Sequence, residues 1–230
     1  MRIIFIRHGE PDYENDNLTE TGFKQAQLVA QRLKDENIEE IWSSTHGRAL
    51  NSAKPTAELL GLPVKAVDFM REVTWGSKTG EKLFAGGHPW DIADEMARLG
   101  MDLNSPDWRT NAFFKDNKVV DCAETVEKGI DEWLEEHGYK RNGLYYEHLI
   151  EEEYHRTVAF FCHGGSSSVA IAHIMNLPFP YVCALLHMEF TGITILRMDR
   201  KKGPCTLPCM ELANDGRHIK EGSYHRLLNK

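Results

Sequence analysis

The sequence predicts an α/β fold: a three-layer sandwich with a mostly parallel central sheet flanked by helices, plus a small inserted lobe. Two features indicate this fold. Short, almost purely apolar runs recur along the chain, as expected of strands that are buried on both faces of a parallel sheet. Amphipathic stretches with helical periodicity separate these runs, and such an alternation of strand and helix implies right-handed crossovers.

The N-terminal part of the chain contains two predicted strand–helix pairs. Residues 2–7 form the first strand, and an amphipathic helix follows over about 23–33. A second strand is predicted over 38–42 and a second helix over 49–60, which Gly61 ends. These elements supply the first half of the predicted sheet and two of its covering helices.

The middle of the chain departs from this alternation. Residues from about 77 to 121 are rich in Gly, Trp, Phe and Pro, and they show one convincing helix, near 90–99. We interpret this segment as the inserted lobe. Six aromatic residues are expected to form a small core of that lobe, with one or two of them lining a pocket: Trp75, Phe84, Trp90, Trp108, Phe113 and Phe114.

The C-terminal part returns to regular elements. A helix is predicted over 124–136, a buried strand over 156–162, a helix over 166–175 and a strand over 191–198. We therefore expect residues 1–230 to form a single domain that carries the inserted lobe.

The composition is that of an ordinary soluble globular protein, with 41% hydrophobic and 27% charged residues. A formal net charge of −8 argues against nucleic acid as a partner. No apolar run approaches the roughly 20 residues that span a bilayer, and the five scattered cysteines do not suggest a secreted disulfide framework. We expect a cytoplasmic protein without a membrane partner, and the sequence is compatible with a homodimer.

Two motifs follow two of the predicted buried strands. Arg7-His8-Gly9-Glu10 comes directly after the first strand, and His163-Gly164-Gly165 comes after the strand at 156–162. Ligands of open α/β sheets collect at the carboxyl ends of the strands, so both histidines can converge on one ligand if their strands are neighbours. The helix after Gly165 is expected to offer free N–H groups to an anion.

The site is predicted to work without a metal or cofactor. The chain has no Walker loop, no carboxylate pair positioned for magnesium and no His-Glu-x-x-His motif. The spacing of Cys205 and Cys209 relative to His218 and His225 matches no common zinc pattern. Arginines stabilise phosphoryl charge well, and Arg7 and Arg48 are the candidates.

In these residues the chain resembles the histidine phosphatase superfamily, which includes the cofactor-dependent phosphoglycerate mutases. The matching segments are Arg7-His8-Gly9-Glu10, Leu18 to Gly22 with Gln25-Ala26, Ser43-Ser44 through Arg48-Ala49, Glu124-Thr125, His163-Gly164-Gly165, and Asn214-Asp215 with His218. The resemblance implies that His8 is the nucleophile and that Arg7, Arg48, His163 and Gly164 bind the phosphoryl group. It also implies that Glu72 donates a proton, with Glu81 in the same Gly-rich stretch as the alternative.

The activity implied is that of a metal-independent phosphomonoesterase that forms a phosphohistidine and acts on a small phosphorylated metabolite. Two alternatives stay open. One is a phosphoglycerate-type mutase, which is disfavoured because Glu72-Val73-Thr74-Trp75-Gly76 lacks the Arg and Tyr of the mutase pattern Glu-Arg-His-Tyr-Gly. The other is a catalytically inactive module that binds a phosphorylated ligand. His46, His88, His187 and His218 are interpreted as packing or surface residues.

Overall fold

The computed structural model describes residues 1–149, 156–198 and 205–219. Its strands are β1 (Arg2–Arg7), β2 (Pro11–Asp12), β3 (Asn17–Leu18), β4 (Glu40–Ser44), β5 (Val64–Val67), β6 (Tyr139–Asn142), β7 (Tyr145–His148), β8 (Thr157–Cys162), β9 (Ile193–Arg197), β10 (Cys205–Thr206) and β11 (Cys209–Asp215). Its α-helices are α1 (Glu20–Leu33), α2 (Gly47–Leu60), α3 (Pro89–Arg98), α4 (Val119–Glu136), α5 (Gly164–Ile174) and α6 (Phe179–Leu185).

A six-stranded sheet with the order β11-β9-β1-β8-β4-β5 forms the centre of the fold. Strands β1, β8, β4 and β5 are mutually parallel, whereas β9 pairs with β1 in the antiparallel sense. Helices cover both faces, so the predicted fold class is confirmed. The pairing of β1 with β8 also meets the condition that the two histidine-bearing strands are neighbours.

The core lies on both faces of the sheet, as the apolar run of β1 predicts. Ile3 and Phe5 belong to one hydrophobic cluster and Ile4 and Ile6 to the other, because successive strand residues point to opposite faces. All four side chains are completely buried. The second cluster lies under α1 and α2, and the first lies under α4, α5 and α6.

Several predicted boundaries shift in the structure, among them those of β4, α4 and α5. The strand expected over 38–42 is β4 at Glu40–Ser44, and α4 begins at Val119 instead of residue 124 because buried Val119, Val120 and Ala123 extend its apolar face. Helix α5 begins at Gly164, two residues before the predicted start. The hairpin β6–β7, helix α6 and strand β11 are elements that the sequence patterns did not predict.

The two ends of the inserted segment lie next to each other. Ser77 pairs with Asn117, and the N–H of Lys118 donates to the carbonyl of Gly76 at 2.9 Å. The expected separate aromatic core is wrong for Trp108 and Phe114, because both are buried within the same cluster as the sheet residues. The division of the chain into one domain with an inserted lobe stays a prediction.

No single helix in the described ranges is long and apolar enough to cross a membrane. Helices α5 and α6 together have the length and apolar composition of a membrane span, but they are bent by 120° relative to each other.

Candidate active site

Two buried histidines lie side by side at the carboxyl ends of β1 and β8. Arg7 is opposite Cys162 in the parallel register, so His8 and His163 are the next residue on each strand. Their ring centroids are 5.1 Å apart. The ring of His46, at the start of α2, is also 5.1 Å from that of His163, although the sequence had suggested only a packing or surface role for His46.

The hydrogen bonding of His8 determines which ring nitrogen can react. Its Nδ1 lies 2.7 Å from the carbonyl oxygen of Gly9. A carbonyl can only accept, so in the neutral ring Nδ1 carries the proton and Nε2 carries the lone pair. Burial, followed by the positive charge of Arg7, lowers the pKa of His8 to about 3. The ring is therefore neutral and nucleophilic at neutral pH.

The loop after β1 is fixed by close backbone contacts. The N–H of Gly9 donates to Ser52 Oγ at 2.9 Å, and that hydroxyl donates to the carbonyl of Arg48 at 2.8 Å. A Cβ on Gly9 would lie only 2.6 Å from the carbonyl oxygen of Gly22. A residue without a side chain is required here, and His8 is anchored directly beside it.

Arg7 is half-buried, with its Nε enclosed and part of its hydrogen-bonding capacity unused. Its Nη1 donates to the carbonyl of Met188 at 2.6 Å, and the guanidinium lies 4.2 Å from the ring centroid of Phe190. Its Nε has no partner in the described part of the chain. Burial lowers the pKa of Arg7 from its ordinary value, and an arginine nevertheless stays charged. A desolvated cation with a spare donor is suited to bind an anion.

The second guanidinium, that of Arg48 on α2, is held by an acidic residue that the motifs did not indicate. Arg48 Nη1 donates to Asp16 Oδ1 at 2.5 Å, and the N–H of Gly47 donates to Asp16 Oδ2 at 2.7 Å. Burial opposes ionisation of Asp16, but these two partners outweigh it and lower the pKa of the carboxyl group. Arg48 Nε, like that of Arg7, is buried without a partner among the described residues.

His163 is completely buried and held through one ring nitrogen. Its Nε2 is 2.8 Å from Ser44 Oγ, at the end of β4. Its Nδ1 has no partner within the described ranges. Burial keeps the pKa of His163 well below its usual value, and the positive charge of Arg48 acts in the same direction. The ring thus offers a nitrogen to a ligand while staying neutral.

Gly164 and Gly165 at the start of α5 play different parts. A Cβ on Gly164 would be in ordinary contact with Arg7 Nε at 3.5 Å, so its absence leaves that donor open. A Cβ on Gly165 would lie 2.6 Å from Glu72 Oε1. The second glycine therefore makes room for a carboxyl group against the helix.

The carboxyl group of Glu72 occupies the N-terminus of α5. Its Oε1 accepts hydrogen bonds from the N–H groups of Gly165 at 3.0 Å, Ser166 at 3.1 Å and Val73 at 3.0 Å. The expectation that these helix N–H groups are free for an external anion is wrong, because Glu72 uses two of them. Burial raises the pKa of Glu72 despite the opposing effects of these donors and of Arg7.

Glu72 and Glu81 differ sharply in their surroundings. Glu72 contacts the start of α5, directly after His163, through its Oε1. Its Oε2 makes no hydrogen bond to the described residues. Glu81 is exposed and makes no hydrogen bond or ion pair within that part of the chain. The geometry thus brings His8, Arg7, Arg48, His163, Gly164 and Glu72 together and leaves Glu81 outside.

No cluster of three or more His, Cys, Asp or Glu side chains suited to a metal ion is present in the described ranges. His225 lies outside those ranges. His218 contacts Thr191 Oγ1 at 3.0 Å, and the N–H of Thr191 donates to the carbonyl of Arg7. His218 thus supports the loop beneath the site.

Comparison with known proteins agrees with this geometry. Residues 3–208 match the sequence profile of the histidine phosphatase superfamily, branch 1. A Hydrogenobacter thermophilus protein named for phosphoserine phosphatase activity is 22% identical over 210 residues, covering 87% of this chain and 91% of that protein. A Photorhabdus laumondii protein named for phosphoglycerate mutase activity is 35% identical over 85 residues, covering 33% of this chain and 40% of that protein.

A solved structure shares the fold over nearly the whole chain. It is a phosphoserine phosphatase from Entamoeba histolytica in complex with 3-phosphoglyceric acid. The TM-score is 0.61 at 21% identity, and the match covers 94% of this chain and 98% of that one.

Acid should destabilise the protein through His8. The unfolded chain binds a proton at the ordinary pKa of 6.5, whereas the folded ring stays neutral down to a pKa of about 3. Stability therefore falls as the pH drops through this window, by about 1.4 kcal/mol per pH unit for one such group. The free energy of unfolding, measured with urea at about pH 6.5 and about pH 4.5, falls between these two pH values. This fall should be about 2 kcal/mol smaller for His8→Asn than for the wild type. An identical pH dependence of the two proteins would contradict a buried, neutral His8.

Proposed function

The chain belongs to the histidine phosphatase superfamily and is a phosphatase enzyme, and we propose that it hydrolyses small phosphomonoesters through a phosphohistidine at His8, without a metal ion. One observation carries this proposal most directly. The proton of the neutral His8 ring is held on Nδ1 by the Gly9 carbonyl, which leaves the lone pair of Nε2 beside two guanidinium groups with unused donors. This is the arrangement that a metal-free nucleophilic displacement at phosphorus requires.

In the first step the phosphoryl oxygens accept hydrogen bonds from Arg7, Arg48 and His163. Nε2 of His8 attacks phosphorus, the N–P bond forms and the P–O bond to the alcohol breaks. The alcohol oxygen takes a proton from Glu72, whose raised pKa favours the acid form before reaction. The buried guanidinium groups stabilise the negative charge on the phosphoryl group through these contacts.

In the second step a water molecule attacks the phosphohistidine. Glu72, now a carboxylate, accepts a proton from that water, and the N–P bond breaks. Inorganic phosphate leaves, and His8 and Glu72 return to their starting protonation states. The covalent intermediate divides one difficult displacement into two easier ones.

The two alternatives gain no support from the site. A mutase must hold its substrate while the phosphoryl group returns to another hydroxyl, and the Val73-Thr74-Trp75 segment lacks the Arg and Tyr of the mutase pattern. An inactive binding module would not need a neutral nucleophile beside a carboxyl group with a raised pKa.

His8→Ala should abolish turnover, because it removes the nitrogen that forms the covalent bond to phosphorus. Phosphate release, measured with EDTA present, should fall to less than about one part in a thousand of the wild-type rate. Rapid quench of the wild type with a labelled ester should yield an acid-labile, base-stable phosphoenzyme that the variant lacks. Higher residual turnover, or a label that persists in the variant, would sink the assignment of the nucleophile.

Glu72→Gln should slow phosphoenzyme formation most for substrates whose leaving group most needs a proton. Phosphoenzyme formation from an alkyl phosphate should slow by about a hundredfold or more, the usual worth of general acid catalysis. Formation from an aryl phosphate with an acidic phenol should change far less, since that phenolate leaves unaided. Glu81→Gln is the matched control and should alter neither rate. Equal losses on both substrates for Glu72→Gln would point to structural damage instead.

A further inference from the structure

A cluster of three aromatic rings lies beside the carboxyl group of Glu72. The ring centroids of Trp75 and His88 are 5.0 Å apart, those of His88 and Trp90 are 5.3 Å apart, and those of Trp75 and Trp90 are 6.4 Å apart. Trp75 is 41% exposed, so part of its indole ring is open to solvent. The cluster therefore presents ring surface to solvent instead of serving only as core.

The position of the cluster relative to the acid follows from Gly165. The point that a Cβ on Gly165 would occupy lies 2.6 Å from Glu72 Oε1 and 3.4 Å from Cη2 of Trp90. The carboxyl group and the edge of that indole thus meet over the same glycine. Trp75 lies three residues after Glu72 along the same segment.

Backbone packing holds the cluster in place without a ligand. Gly87 has a positive φ of 89°, and a Cβ on it would lie 2.9 Å from the backbone nitrogen of Gly76. Asn117 Nδ2 donates to the carbonyl of Gly87 at 2.7 Å. These contacts fix His88, the next residue, against Trp75. A rigid surface of this kind binds a ligand with little loss of conformational entropy.

Resting on the proposed function, we propose that Trp75, His88 and Trp90 form the subsite for the leaving group and select alcohols that carry an uncharged planar ring. The group that protonates the departing oxygen must lie next to that oxygen, so the neighbours of Glu72 contact the rest of the alcohol. Planar rings stack on indole faces.

The charge beside the cluster disfavours acidic leaving groups. Asp91 Oδ2 lies 3.0 Å from Nδ1 of His88, and the Asp91 side chain is mostly exposed to solvent. A carboxylate on the alcohol would be repelled by Asp91. This subsite therefore favours a ring-bearing ester over 3-phosphoglycerate, which carries a carboxylate without a compensating ammonium group and is the ligand in one similar structure.

The test compares benzyl phosphate, n-butyl phosphate and 3-phosphoglycerate, all of which release an unactivated alcohol. The wild type should prefer benzyl phosphate by kcat/KM. Trp75→Leu, at an exposed position, should lower kcat/KM for benzyl phosphate by about tenfold, as expected from the loss of ring stacking. Trp90→Phe should also lower kcat/KM for this substrate. The values for n-butyl phosphate and the inhibition by inorganic phosphate should stay within about twofold of the wild type. Phe84→Leu, at an exposed aromatic of the same segment, is the matched control and should alter none of these values.

Asp91→Asn should raise kcat/KM for 3-phosphoglycerate, and the increase should shrink as the salt concentration rises. A wild-type preference for 3-phosphoglycerate, or an unchanged benzyl-to-butyl ratio in Trp75→Leu, would overturn the subsite and leave the proposed function standing. A wild type that hydrolyses none of the three esters in a His8-dependent manner would instead contradict the proposed function.

Discussion

The parallel pairing of β1 with β8 is the constraint on which the rest of the site depends. The register places Arg7 opposite Cys162, and the N–H of His8 continues the ladder by donating to the Cys162 carbonyl at 2.9 Å. Two histidines that are 155 residues apart in the chain thereby become neighbours. Because β1 is buried on both faces, a shift of register would expose its apolar side chains, and the separation of the two rings is held by the whole core.

Within the site formed by this strand pairing, burial and hydrogen bonding set the protonation states of the ionisable side chains. The helix dipole and the first N–H groups of α5 are directed at Glu72, and in the proposed mechanism guanidinium groups bind the phosphoryl group. Burial raises the pKa of Glu72 and lowers that of His8, which suits the proton-donor and nucleophile roles proposed for them. The Met188 carbonyl and Asp16 each hold one arginine while leaving its Nε for a ligand.

The sequence predicted the elements and site residues that depend on local pattern. Apolar runs and helical periodicity indicated β1, β8, α1 and α2, and short motifs indicated His8 and His163. Asp16 and the backbone of Met188 were not indicated, and Ser44 was matched only as part of a family segment without a role, because these roles come from contacts between distant segments. The start of α5 was also placed late, since glycines at 164 and 165 are poor helix formers and only their contacts with Arg7 and Glu72 explain them.

The nitrogen that carries the phosphoryl group tests the proposed chemistry most directly. The hydrogen bond from Nδ1 of His8 to the Gly9 carbonyl leaves Nε2 as the reactive atom. Phosphorus–nitrogen correlation NMR on ¹⁵N-histidine-labelled phosphoenzyme, trapped by an alkaline quench, distinguishes the two ring nitrogens. We expect phosphorus on Nε2 of His8 alone. Phosphorus on Nδ1, or on any residue other than His8, would contradict the geometry described for this site.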